Sequence, residues 1–186
     1  TIVKRGAVKV RALADGDVLA GFAGTVSDAF TLIEKYEGYL EQYRGNLVRA
    51  AVETVKEWRT DRALRNLEAL LLIADSDQIL TLSGMGDVIA PDDPVAAVGS
   101  GGAYAQAAAL ALLRHTDLSA EEIARRSLLI AAEIDIYTSG NPTVLTVGGA
   151  DDGGVNDDQD AAAGGPSAAE SSDRSVNDAG TEEGGR

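Results

Sequence analysis

The sequence predicts an α+β protein in which antiparallel sheet and paired helices form separate layers. Three observations predict it. The apolar patterns run strand, strand, helix, helix, several strands, helix, helix, rather than in the alternation that builds a parallel sheet. Residues 18–24, VLAGFAG, turn directly into a helical pattern with Ala29, Leu32, Ile33, Tyr36 and Leu40 on one face. The run ALLLIAD at 69–75 is short, continuous and apolar, the pattern of a buried strand.

The chain opens with a short β-prone stretch, residues 1–3, and a turn at Lys4-Arg5-Gly6. Residues 7–13, AVKVRAL, alternate as a strand, with Lys9 and Arg11 on one side and Val8 and Val10 on the other. Asp15-Gly16-Asp17 is a hairpin signal, which makes residues 18–23 the returning strand. A first helix is expected over 27–43, capped by Ser27 or Asp28 and closed by Gly45-Asn46. A second is expected over 47–66, with Trp58-Arg59-Thr60-Asp61-Arg62 tightening or breaking it. Strands at 69–75 and 78–83 flank the turn Asp75-Ser76-Asp77, and Gly84-Met85-Gly86-Asp87 turns the chain into a short strand at Val88-Ile89. Pro91 and Pro94 stop that strand. Residues 95–98 lead into Gly99-Ser100-Gly101-Gly102, then an alanine-rich helix over 104–114. Leu118-Ser119 caps a last helix over 120–132, with Glu121 and Glu122 in its first turn, and a final strand is expected at 134–137. From about residue 148 the chain is mostly Gly, Ala, Ser, Asp, Asn and Glu, without Leu, Ile or aromatic residues. That composition cannot bury enough surface to offset chain entropy, so residues 148–186 are expected to be a disordered acidic tail that aids solubility.

Bulk properties exclude several functions. A net charge of −14 argues against binding duplex nucleic acid or an anionic membrane. The absence of cysteine excludes disulfides and thiolate metal sites, and a single histidine, His115, argues against a histidine zinc centre. No apolar run approaches the ~20 residues of a membrane span, and no secretion signal opens the sequence, so the expected location is the cytoplasm. High acidity also suits a salt-loving organism.

A strand that turns tightly into a helix places backbone N–H groups in an exposed corner, which can hold an anion or the oxygen of a reacting carbonyl. The same unit is also plain architecture in most proteins. Lys9 by itself reads as a solvated strand lysine and Gly24 as a turn glycine. The GSGG stretch reads as a loop before a helix or a phosphate cradle, though it lacks the Lys-Ser/Thr of a P-loop. His115 and Trp58 read as packing or surface residues.

Longer motifs narrow these readings. KRGAVKVRAL, AGFAGTVSDAFTLIEKYE, GNLVRAAVETVKEWRTDRALRNLEALLLIAD, GDVIAP, AVGSGGAYAQAAALALL, LSAEEIA and IYTS occur in the order they hold in HslV, the proteasome-like peptidase family. WRTDR and GSGG-x-YAQAAA are the most telling. The resemblance spans about residues 1–138. It implies a four-layer αββα N-terminal-nucleophile hydrolase sandwich, over residues 1–147, that here lacks its first strands. It also implies a homo-oligomer, a double ring of six-membered rings with the active sites inside. The implied partner is an HslU-type unfoldase ATPase, which uses ATP and threads unfolded protein substrates into the chamber. In such enzymes an N-terminal threonine hydroxyl attacks the scissile carbonyl while its own α-amine accepts the proton. An α-amine titrates near ~8, and a lysine cation beside it keeps it neutral enough to act as base.

By this resemblance Lys9 is the active-site lysine, Gly24 the glycine of the oxyanion corner, and Ser100 the serine near the catalytic threonine. A monovalent cation, sodium by family habit, is implied at Ala132, Asp135 and Thr138, held mostly by backbone carbonyls. Asp135 stands where relatives often have an uncharged residue, and Thr25 where they often have a second glycine. Thr1-Ile2-Val3 echoes the family's Thr-Thr-Ile-Val start. A gapless reading instead aligns Thr1-Ile2-Val3-Lys4 with a later Thr-Val-x-Lys segment, so the nucleophile and its aspartate are expected upstream and this chain alone is expected to be inactive. The competing readings are a non-catalytic ring subunit that scaffolds active partners, and a proteasome β-type subunit served by other ATPases.

Overall fold

The structure is a computed structural model and describes residues 8–148. The short strand expected at 1–3, the turn at 4–6 and the acidic tail beyond Gly148 lie outside the described residues. Strand β1, Val10–Leu13, leads through a 3₁₀ turn at Ala14–Gly16 into β2, Val18–Gly24. Ala14, Asp15 and Gly16 all have positive φ, of 50, 56 and 94°, so the left-handed turn asked for by the Asp-Gly pair is drawn out over three residues. Helices α1, Val26–Gln42, and α2, Leu47–Thr60, follow as a hairpin. Strands β3, Ala69–Ala74, β4, Ile79–Ser83, and β5, Val88–Ile89, come next. Helices α3, Gly102–His115, and α4, Ala120–Ile134, complete the described elements.

The five strands form one sheet in sequence order, each neighbour antiparallel. Register decides which residues face inward. Phe22 pairs with Leu71 and Leu71 with Leu82; Ala20 pairs with Ile73 and Ile73 with Leu80. All of these, together with Val18 and Leu13 opposite it, eight residues in all, belong to a single buried cluster with α1 and α2. Every apolar position expected to face inward on α1 does so: Ala29, Leu32, Ile33, Tyr36 and Leu40. From α2 come Leu47, Ala50, Ala51, Val55 and Trp58. The Trp58 ring is fully buried, and a Cβ on Gly84 would stand 3.1 Å from it, so the β4–β5 turn closes flat over the indole. The hairpin is also tied by polar groups: Glu57 accepts from Lys35 at 2.8 Å and from the Tyr39 hydroxyl at 2.9 Å.

The opposite face of the sheet is half open among the described residues. Leu70 is 39% exposed and Leu72 partly so; β3 therefore alternates rather than being buried on both sides as its apolar run implied. The second sheet of the expected four layers is not among the described residues. Helices α3 and α4 pack chiefly on each other, through the small residues Gly102, Ala105 and Ala109 against Ile123, Ser127 and Ala131.

Three local expectations are corrected. Thr25, not Ser27 or Asp28, occupies the N-cap of α1, and no side chain caps it; Ser27 donates to Asp28, whose Oδ2 accepts the Glu68 N–H at 3.2 Å. Helix α2 stops at Thr60 instead of residue 66. Asp61 is the reason: its Oδ1 accepts the N–H groups of Ala63 at 2.6 Å and Leu64 at 3.3 Å, a side-chain turn that competes with the helix. No strand forms at 134–137, because α4 runs on to Ile134 and Asp135 then folds the chain into a turn.

Candidate active site

Lys9 precedes β1, and its carbonyl accepts the Phe22 N–H at 3.1 Å. The register therefore sets Lys9 at the end of the hairpin away from its turn, beside the last residues of β2. Its side chain is exposed. Arg11 lies on the same face, its guanidinium 5.6 Å from the centre of the Phe30 ring, which in turn meets Phe22 edge-on.

Gly24 ends β2 with φ of +111°, and a Cβ there would collide with the Glu68 carbonyl and stand 3.0 Å from Ala69 Cα. Only glycine combines that conformation with that approach. The next N–H, of Thr25, donates to the Glu68 carbonyl at 3.3 Å, and Asp28 holds the Glu68 N–H, so both main-chain groups of Glu68, just before β3, pin the corner. Helix α1 starts immediately after. Its first N–H groups lack helical acceptors and carry the positive end of the helix dipole, which suits a developing oxyanion.

Ser100 reaches the same region through its loop: Gly99, with φ of +103°, approaches Ala23 of β2, where an added Cβ would lie 3.3 Å from the alanine side chain. The Ser100 hydroxyl donates to Asp135 Oδ2 at 2.6 Å, and the Thr138 hydroxyl donates to the same oxygen at 2.6 Å. The N–H of Tyr137 reaches Oδ1 at 3.2 Å. These bonds, Ser100 first, hold the Asp135 carboxyl below the usual carboxylate range. Ser100 thus faces a carboxylate rather than an imidazole base, and the only histidine ends α3; this is no Ser–His nucleophile pair.

The expected catalytic residues Lys9, Gly24 and Ser100 therefore share one end of the β1–β2 hairpin. The expected cation residues Asp135 and Thr138 join Ser100, while Ala132, half-buried in the last turn of α4, lies one turn before. Sequence reasoning treated serine and cation residues as two sites; the Asp135 carboxylate makes them one. It also missed the parts played by Glu68 and Asp28, whose contact spans forty residues and leaves no local pattern. Among the described residues no group of three or more His, Cys, Asp or Glu side chains is placed to hold a metal.

The arrangement combines a cation, a strand-to-helix corner rich in N–H groups, and a hydroxyl-bearing loop. Together they suit binding an extended amide and stabilising its oxyanion. Comparisons with known proteins agree with it. Residues 1–147 match the proteasome subunit family. The ATP-dependent protease subunit HslV of Pseudothermotoga lettingae is 58% identical over 144 residues, 77% of this chain and 82% of the relative. The protein of the same name from Desulfovibrio desulfuricans is 60% identical over 146 residues, 78% of this chain and 82% of that one. Among solved structures, the eukaryotic HslV of Trypanosoma brucei superposes with a TM-score of 0.72 at 45% identity, covering 76% of this chain and 81% of that one.

Proposed function

The chain belongs to the proteasome family, in its HslV branch, and from that membership we propose how this threonine-type peptidase subunit is assembled and how it works. It forms a double ring of hexamers in the cytoplasm, fed with unfolded protein by an HslU-type ATPase that alone consumes ATP. Among the described residues no helix is long and apolar enough to cross a membrane.

The observation that carries the site reading is the convergence of Lys9, the Gly24 corner and the Ser100 loop at one end of the hairpin. The attacking hydroxyl is not among the described residues. Lys9 lowers the proton affinity of the attacking residue's amine by charge, so that the amine takes the hydroxyl proton as the oxygen attacks. Beside Gly24, the N–H groups in the first turn of α1 that lack helical acceptors receive the carbonyl oxygen as it gains charge. Ser100, fixed by Asp135, lines the site beside the attacking threonine.

Cleavage of a fluorogenic peptide by the protein expressed from its gene, with and without the partner ATPase and ATP, tests this. Cleavage that is lost about 10³-fold or more in Lys9→Ala is the expected result. Rings that form but never cleave would replace the enzyme by a scaffolding subunit.

A further inference from the structure

Oxidisable side chains are scarce in this chain, which has no cysteine, one methionine and one tryptophan. The tryptophan, Trp58, is fully buried, whereas the methionine, Met85, is 83% exposed in the turn between β4 and β5. Hydrogen bonds close that turn at its base. The Ser83 N–H donates to the Asp87 carbonyl at 3.1 Å, the Gly86 N–H to the Ser83 carbonyl at 3.1 Å, and the Ser83 hydroxyl to Asp87 Oδ2 at 2.8 Å. On both sides of Met85 the backbone rests on the end of α2. Gly84 lies against the Trp58 indole, and a Cβ added at Gly86 would stand 2.7 Å from Arg59 Cδ and 2.9 Å from its Nη1. The turn therefore presents one thioether to solvent while the next residue lies on an arginine. Among the described residues the Arg59 guanidinium has no hydrogen bond and no ion pair, whereas Lys56, one turn before it, is paired with Glu53.

We propose that Met85 is a site of reversible oxidation, and that the sulfoxide formed there takes the Arg59 guanidinium as its hydrogen-bond donor. Hydrogen peroxide is the oxidant. The Met85 sulfur attacks one peroxide oxygen, the O–O bond breaks as the S–O bond forms, and the other oxygen leaves as water with both protons. Sulfur gives up two electrons and the peroxide gains them. A methionine sulfoxide reductase with a dithiol reverses the step: the oxygen leaves as water and the two thiols close to a disulfide. A thioether is a weak acceptor, but a sulfoxide oxygen is a polar one, and a bond to it from a guanidinium is charge-assisted. Methionine oxidation in a core disrupts packing. Met85 is too exposed to lose much packing, and its oxygen gains a cation within the same turn, so oxidation here tightens the turn onto α2 instead of loosening it.

The test treats the full protein, as it is expressed, with dilute hydrogen peroxide and follows intact mass and peptide maps. A gain of one oxygen atom at Met85 is expected, at a rate within about threefold of methionine in a short unstructured peptide. The reductase should remove it, and Met85→Leu should show no such gain. Uptake at Met85 slowed about tenfold or more against that peptide would overturn the site. Amide hydrogen exchange at Gly86, whose N–H closes the turn, reads the part played by Arg59. Oxidation is expected to raise protection there about threefold in the unaltered protein and to leave it unchanged in Arg59→Gln. Protection that fails to rise on oxidation, or that rises equally in Arg59→Gln, would overturn the pairing of the sulfoxide with Arg59.

Discussion

At the scale of single residues, Gly24 is the most exacting position described. Its positive φ and the Glu68 carbonyl above it each exclude a side chain, so Gly24→Ala meets both backbone strain and a collision with main chain that cannot step aside. A loss of about 2–4 kcal/mol is expected in urea unfolding, with the Trp58 emission as signal; Trp58 is the chain's one tryptophan and is fully buried. Gly45 also has positive φ but has open space around it, so Gly45→Ala meets only the conformational strain and is expected to cost about 1 kcal/mol. The contrast separates a glycine kept for close approach from one kept for a helix end. Sequence alone read Gly24 as a turn glycine and Gly45 as closing a helix, but could not rank their tolerance, because the atom that decides it, the Glu68 oxygen, lies forty-four residues later in the chain.

At the scale of elements, the caps and the α1–α2 bridge supply two predictions. Asn46 caps α2 by accepting the Arg49 N–H at 2.9 Å, whereas Ser27, equally plausible by composition, caps nothing in α1. Asn46→Ala is therefore expected to destabilise by about 1 kcal/mol and Ser27→Ala by far less, compared by thermal midpoint. The Glu57 bridge predicts a pH dependence. Its hydrogen bond to Lys35 holds the Glu57 carboxyl low and the Lys35 ammonium high, and the bond from Tyr39 pushes that phenol up to about 12. A lowered carboxylate stabilises above its unfolded pKa of about 4 and loses that contribution as pH falls through the folded value. A raised lysine or tyrosine stabilises below its unfolded pKa, near 10, and loses the contribution as pH climbs through its folded value. The difference in unfolding free energy between the unaltered chain and Glu57→Gln should thus be greatest near pH 7. It should shrink below about pH 4 and above about pH 10, and because Lys35 is nearly half exposed it should not exceed about 1 kcal/mol. A difference flat across pH would show that the bridge contributes packing alone. Elements were the most legible level: helix faces and hairpins follow apolar spacing. The failures at 61–66 and 134–137 share a cause, an aspartate whose carboxylate binds nearby N–H or hydroxyl groups and so decides where a helix ends.

At the scale of the whole molecule, the layers were legible because strand and helix patterns come in blocks, but the cover of the open sheet face was not. Leu70 and Leu72 read as a buried strand since the apolar run is continuous, whereas among the described residues Leu70 is exposed and Leu72 only partly buried. Charge is the other whole-molecule property. At −14 the chain repels itself, and the compact state bears more of that repulsion than the extended one. Among the described residues six surface ion pairs work the other way, but each is small and screened by salt. The balance favours screening, so the thermal midpoint should rise between 0.05 and 0.5 M salt, on the order of 2–4 °C for each kcal/mol relieved. The rise should be the same in sodium and choline chloride, because general screening depends on ionic strength and not on which cation supplies it. A midpoint that falls with salt would mean that the ion pairs outweigh the net charge, and Arg126→Gln, which breaks the 2.6 Å pair with Glu122, should then lower it further at low salt than at high.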